Sequence, residues 1–135
     1  MIHKIQTGIV GAGPSGLLLS RLLALQGIES IVVERQSRDY VEGRIRAGVL
    51  EQGTMDLLDE AEIGARMHAE GLVHGGVELC FNGKWHPIDF VDLTGGKTVM
   101  VYGQTEVTKD LNSALAAAGA QIVYEAEAVT VDEFD

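Results

Sequence analysis

Gly11-Ala12-Gly13-Pro14-Ser15-Gly16 places three glycines at the offsets of a loop that cradles phosphates. In such a loop Gly11 permits a tight turn, Gly13 lets the backbone approach a pyrophosphate, and Gly16 allows the next helix to pack closely on the strand before it. Unpaired amides at the helix start carry about half a positive charge, and the Ser15 hydroxyl can add a donor. Glycine makes up 17 of 135 residues, so this spacing alone arises by chance roughly a quarter of the time. Glu34 strengthens it. This carboxylate ends the next apolar run, 23 residues after Gly11, where an acidic side chain reaches the hydroxyl pair of a ribose. These residues point to a dinucleotide without saying which one.

A second cluster follows at once. Arg35, Arg38, Arg44 and Arg46 are four of the ten basic residues and face only Asp39 and Glu42, in a chain whose net charge is −10. Read alone, this segment is either a solvated surface loop or an anion site. The acidic whole, with a pI near 4.7, argues against nucleic acid and anionic membranes as partners. Cys80 is the single cysteine and four histidines are scattered, so neither a disulfide framework nor a metal spacing is expected. No apolar run reaches bilayer length and the N-terminus lacks a signal-peptide pattern, so a soluble, cytoplasmic protein is expected.

The elements that must hold these residues form an α/β pattern. Ile5 to Val10 reads as a strand, the leucine-rich run from Pro14 as a helix stopped near Gly27, and Ile31 to Val33 as a second buried strand. About thirty residues from Ile5 to Glu34 match one βαβ unit with parallel strands. Leu50, Leu57, Leu58 and Ala61 recur at helical spacing, which predicts a helix from near Gly48 to before Gly64, with a short helix through Met67. Val77 to Phe81 and Trp85 to Phe90 flank Asn82-Gly83, the signature of a type I′ hairpin, with Pro87 marking an edge and Trp85 expected to pack in the core or sheet. Cys80 alternates into the same apolar strand and is expected to be inert. A strand over Thr98 to Tyr102, a helix from Val107 closed by Gly119, and strands over Gln121 to Tyr124 and Ala128 to Phe134 complete the pattern. The pattern stops at Asp135 without the helix that closes a doubly wound sheet, so residues 1–135 are expected to be the incomplete N-terminal part of one domain.

The glycine loop, Glu34-Arg35-Gln36, Tyr40, the block Gly43-Arg44-Ile45-Arg46-Ala47-Gly48-Val49-Leu50-Glu51-Gln52-Gly53 and Val101-Tyr102-Gly103-Gln104-Thr105-Glu106-Val107-Thr108 together resemble the single-component FAD-dependent aromatic hydroxylases. The likeness runs from about Ile5 to the last residues, and the Arg44 to Gly53 block is more specific than any glycine fingerprint. It implies a Rossmann-like FAD-binding fold with a hairpin excursion, at the front of a larger two-domain, homodimeric flavoprotein of aromatic catabolism. The reaction implied is hydroxylation of 4-hydroxybenzoate to 3,4-dihydroxybenzoate with NADPH and O2, by way of a flavin C4a-hydroperoxide.

On this resemblance Gly11, Gly13, Ser15 and Gly16 hold the FAD pyrophosphate and Glu34 the adenosine ribose. Arg44, Ile45, Arg46, Ala47, Gly48 and Val49 wrap the flavin and its diphosphate, and Gln104 touches the cofactor from a strand end. Paired charge-assisted bonds from a guanidinium to a diphosphate agree with that assignment. Arg35, Gln36 and Tyr40 match residues implied in NADPH recognition, and no carboxylate stands at Gln36 or Tyr40 to repel a 2′-phosphate. Arg38 departs from the proline expected there. His74 resembles the outer member of a proton path that ionises a phenolic substrate, a role a histidine titrating near neutrality suits. His3, His68 and His86 suggest no mechanism.

The resemblance further places the substrate pocket beyond position 135, so the 135 residues alone are expected to bind FAD weakly and to hydroxylate nothing. Two other classes share part of the pattern: an NAD-dependent dehydrogenase domain, which has the loop and Glu34 but no reason for the Arg44 to Gly53 block, and a non-catalytic nucleotide-sensing module.

Overall fold

A computed structural model describes residues 4–127 and Thr130. The chain divides into two compact units, Met1–Ile45 with Thr105–Asp135, and Arg46–Gln104.

The first unit is built on a parallel sheet. Strands β1 (Thr7–Val10), β2 (Ser30–Val33) and β8 (Gln121–Val123) lie in the order β1-β2-β8, with Ile9 beside Val32 and Val32 beside Ile122. Parallel strands cannot be joined by a tight turn, so helices carry the chain back: α1 (Pro14–Leu25) after β1 and α6 (Gln104–Ala117) before β8. Proline at the first turn of α1 sacrifices no hydrogen bond. Ile9 on β1, Leu17 on α1, Val32 on β2, and Leu111 and Leu115 on α6 are buried at 7 % exposure or less. Fully burying each such side chain contributes about 1.5–3 kcal/mol. Buried Ser20 pairs its hydroxyl with that of Ser30 at 2.9 Å, so the Ser20 hydroxyl is not stranded behind α1.

After β2 in the chain comes α2 (Arg38–Gly43), capped by Ser37 Oγ, which accepts the Tyr40 amide. Helix, not loop, therefore carries Arg38 and Tyr40.

The second unit is antiparallel. β7 (Val99–Val101) is central, flanked by β3 (Val49–Glu51) and β4 (Leu72–His74), while β5 (Gly76–Phe81) and β6 (Lys84–Asp89) form a separate hairpin. Asn82 and Gly83 both take positive φ, 51° and 69°, as a type I′ turn requires. Helices α3 (Gln52–Glu60), α4 (Ala65–Glu70) and α5 (Phe90–Thr94) fill the connections. Asp89 caps α5 by accepting the Asp92 amide.

Three sequence expectations change. The helix expected from near Gly48 begins only at Gln52, because Val49 to Glu51 extend to pair with β7. Cross-strand bonding there overrides helical periodicity carried by Leu50. Trp85, expected in the core or sheet, is 66 % exposed, because a two-stranded ribbon has no interior of its own and, among the described residues, the hairpin pairs with no third strand; Cys80, opposite it, is exposed too. Phe90 starts a helix where a strand end was expected. The strand expected over Ala128 to Phe134 lies outside the described residues, Thr130 excepted. Among the described residues no helix is long and apolar enough to cross a membrane.

Candidate functional site

Glycine shapes the turn between β1 and α1 in two different ways. Gly11 has φ of 106°, a conformation that side chains with a Cβ rarely adopt, and its amide donates to Val33 O at 2.8 Å. At Gly16 a Cβ would collide with the Gly11 carbonyl oxygen, so this helix approaches the turn as only glycine allows. Gly13 is the opposite case: nothing lies within 4 Å of where its Cβ would stand. The space over the turn is open, and no side chain caps α1.

Glu34 closes the turn from the side. Its Oε2 accepts the Ala12 amide at 2.9 Å and its Oε1 accepts the Gln36 amide at 2.8 Å. The backbone on either side is fixed, since Glu34 N donates to Val123 O and Ala126 N donates to Glu34 O, both at 2.8 Å. A carboxylate held by two amides beside an open helix N-terminus leaves lone pairs for hydroxyl donors and open amides for anions. The donor set fits an adenine dinucleotide, diphosphate at the turn and ribose at Glu34.

The remaining candidates of the first unit lie nearby in sequence. Ser15 and Arg35 are exposed and Gln36 half-buried. Arg44 places its guanidinium 5.9 Å from the centre of the Tyr40 ring, with Ile45 beyond it 87 % exposed. The Glu42 carboxylate accepts Arg38 Nε at 2.7 Å, and this bond holds the Arg38 proton more tightly than usual.

The second unit joins Gly48 to the end of β7. Tyr102 N donates to Gly48 O at 2.7 Å, and a Cβ on Gly48 would stand 3.0 Å from Gly103 Cα. Val49 and Gln104 thereby flank one backbone crossing, while Arg46 and Ala47 are exposed on the approach to it. Arg66 lies over the buried Tyr102 ring at 5.6 Å. His74 ends β4 opposite Val99 and is exposed in an open depression it lines with Glu78, Asp89 and Val91.

Sequence reasoning missed a polar chain in the first unit. Asn112, 2 % exposed on α6, donates to Glu42 and accepts from Tyr124 OH, each at 2.8 Å. Its signal was an amide next to the apolar stripe Val107, Leu111, Leu115. Burial pushes the Tyr124 phenol up, against the opposing pull of its bond to Asn112.

A glycine turn leading an uncapped helix, with a strand-end carboxylate bonded to the turn, defines a dinucleotide-binding α/β domain. The family model described as FAD binding domain matches residues 4–134, and the chain belongs to that family. It is 48 % identical over 131 residues to p-hydroxybenzoate hydroxylase of Acinetobacter baylyi, covering 97 % of this chain and 32 % of that protein. PqsL of Pseudomonas aeruginosa, solved in complex with 2-aminobenzoylacetate, superposes with a TM-score of 0.83 at 21 % identity, over 96 % of this chain and 36 % of that one. The p-nitrophenol 4-monooxygenase PnpA of Pseudomonas putida gives 0.81 at 21 % identity, over 93 % and 33 %. The chain thus spans about a third of the length of these relatives.

Proposed function

We propose that the chain is the N-terminal, FAD-binding part of an NADPH-dependent aromatic hydroxylase acting on 4-hydroxybenzoate. The observation that carries this reading is the near-half identity to p-hydroxybenzoate hydroxylase across 97 % of the chain. The turn geometry at Gly11 to Gly16 and Glu34 supports it, because it offers the donors and acceptors an FAD diphosphate and ribose need.

When bound, FAD would supply the redox chemistry, as hydride acceptor from NADPH and activator of O2. The chain's own residues bind and orient. Gly13 and Ser15 offer backbone and hydroxyl donors to the diphosphate, Gly11 and Gly16 set the turn that presents them, and Glu34 accepts from the ribose hydroxyls. Arg44 through Val49 and Gln104 are assigned to the flavin and its diphosphate. Arg35, Gln36 and Tyr40 face the nicotinamide nucleotide, with positive charge and no acidic side chain of their own against a 2′-phosphate. His74, exposed at the end of β4, relays a proton between solvent and the phenol of the substrate. A small aromatic acid and O2 are the partners, in a homodimer.

Purified full-length protein is expected to show flavin absorbance. Its absence would favour a dehydrogenase domain. Steady-state rates are expected to favour NADPH, and equal or better use of NADH would overturn the nucleotide assignment. The 135 residues alone are expected to hold FAD weakly and to turn over no substrate.

A further inference from the structure

Helix α2 has six residues and buries none of them, a length at which a helix is marginal in isolation. Yet it carries Arg38 and Tyr40 and leads directly into Arg44. What fixes it is polar. Glu42 Oε1, on the last turn of α2, accepts from Arg38 Nε at 2.7 Å and from Asn112 Nδ2 at 2.8 Å. The ion pair within α2 is surface-exposed on the arginine side and ties the helix only to itself. The Asn112 bond instead reaches across to α6, from a side chain that is 2 % exposed and flanked by fully buried Leu111.

The other end of the same amide is also used. Asn112 Oδ1 accepts from Tyr124 OH at 2.8 Å, so one buried side chain links α2, α6 and the segment after β8. The chemistry requires an amide: leucine offers neither bond, and aspartate accepts from Tyr124 but sets a second carboxylate against Glu42. A buried group with both ends committed has little freedom to shift.

We propose that Asn112 is a positioning residue that, through Glu42, sets where α2 and its arginine stand and thereby the affinity for a 2′-phosphorylated nicotinamide nucleotide. This rests on the NADPH reading above.

The test uses the FAD-loaded full-length protein. Asn112→Asp is expected to raise KM for NADPH about tenfold, the usual scale for losing a buried bond to a charged group. kcat should change by less than about twofold, as for loss of uniform binding. Adding Glu42→Gln to Asn112→Asp gives the new carboxylate an amide donor and restores the single negative charge of the pair, and KM should return to within about threefold of the starting value. Asn112→Asp that lowers the melting temperature while leaving KM unchanged overturns the proposal, as does a double variant that regains stability but not KM. Should Asn112→Asp not fold, Tyr124→Phe, which removes only the donor to Asn112, is expected to raise KM about threefold. An unmoved KM there overturns the proposal equally. A parent protein that does not use NADPH removes the NADPH reading and this inference together, whereas NADPH use with an unmoved KM removes the inference alone.

Discussion

The parallel sheet of the first unit and the β5–β6 hairpin of the second use apolar residues to opposite effect. Leu17, Val32, Leu111 and Leu115 are wholly buried around the sheet, whereas Leu79, Phe81 and Trp85 on the hairpin are 50 %, 58 % and 66 % exposed. A two-stranded ribbon has no interior of its own and is marginal unless something covers a face. The turn at Gly11 to Gly16 therefore sits on a scaffold that holds it rigidly, while the depression beside His74 is framed by a ribbon that its own contacts stabilise little. Backbone amides on a packed sheet are held by the sheet itself, whereas side chains on a two-stranded ribbon have no interior to hold them.

The sharpest way to break that contrast is at Gly16. Gly16→Val drives its Cβ into the Gly11 carbonyl, where the obstacle is backbone and cannot step aside. A loss of about 3 kcal/mol in denaturant unfolding is expected, together with loss of bound flavin. Retained flavin at full occupancy would show that the turn is not held as tightly as the packing requires.

Next in size is Glu34→Gln. Both carboxylate oxygens accept from backbone amides, so glutamine must turn its own NH2 toward either Ala12 N or Gln36 N. One amide then loses its acceptor, a cost of about 1–3 kcal/mol, and flavin titration should show affinity falling by about tenfold or more. Unchanged affinity would detach Glu34 from the site.

A smaller effect of known sign concerns Tyr124. Burial holds its proton more tightly in the folded protein than in the unfolded chain. That stabilisation is intact below the unfolded value of about 10 and is lost as pH rises through the folded value. Tyr124→Phe is expected to cost about 1 kcal/mol at neutral pH, by leaving Asn112 Oδ1 without its donor, and to flatten the alkaline limb of a stability profile. An alkaline limb of equal slope in the variant would place the titration elsewhere.

The smallest change is expected at Trp85. With the ring as exposed as it is here, Trp85→Ala in the 135-residue chain should shift unfolding by no more than about 0.5 kcal/mol. A loss of several kcal/mol would mean that the hairpin face is covered in solution, and would erase the distinction between the two regions.

Much of the fold was legible because its signals are local. Apolar runs at Ile9 and Val32, glycines at fixed offsets, and Asn82-Gly83 each constrain the backbone within a few residues. What misled were positions whose conformation depends on a distant strand. Leu50 has helical spacing toward Leu57, yet Val49 to Glu51 pair with Val99 to Val101, far along the chain. Trp85 reads as core by type alone, and exposure is a property of neighbours that type does not carry. Helix α2 was hidden because a six-residue helix with no buried side chain has no apolar period to read.

By itself the amino-acid order determined the turn between β1 and α1, since Gly11 and Gly16 are defined by steric permissions that belong to glycine wherever it stands, and it marked Glu34 by its place at a strand end. Only the tertiary structure decided that both Glu34 oxygens are taken by Ala12 and Gln36, and that Asn112 joins Glu42 to Tyr124 across separations of 70 and 12 residues. Hydrogen bonds have a reach of about 3 Å, and no pattern along a chain records which distant groups folding brings within it.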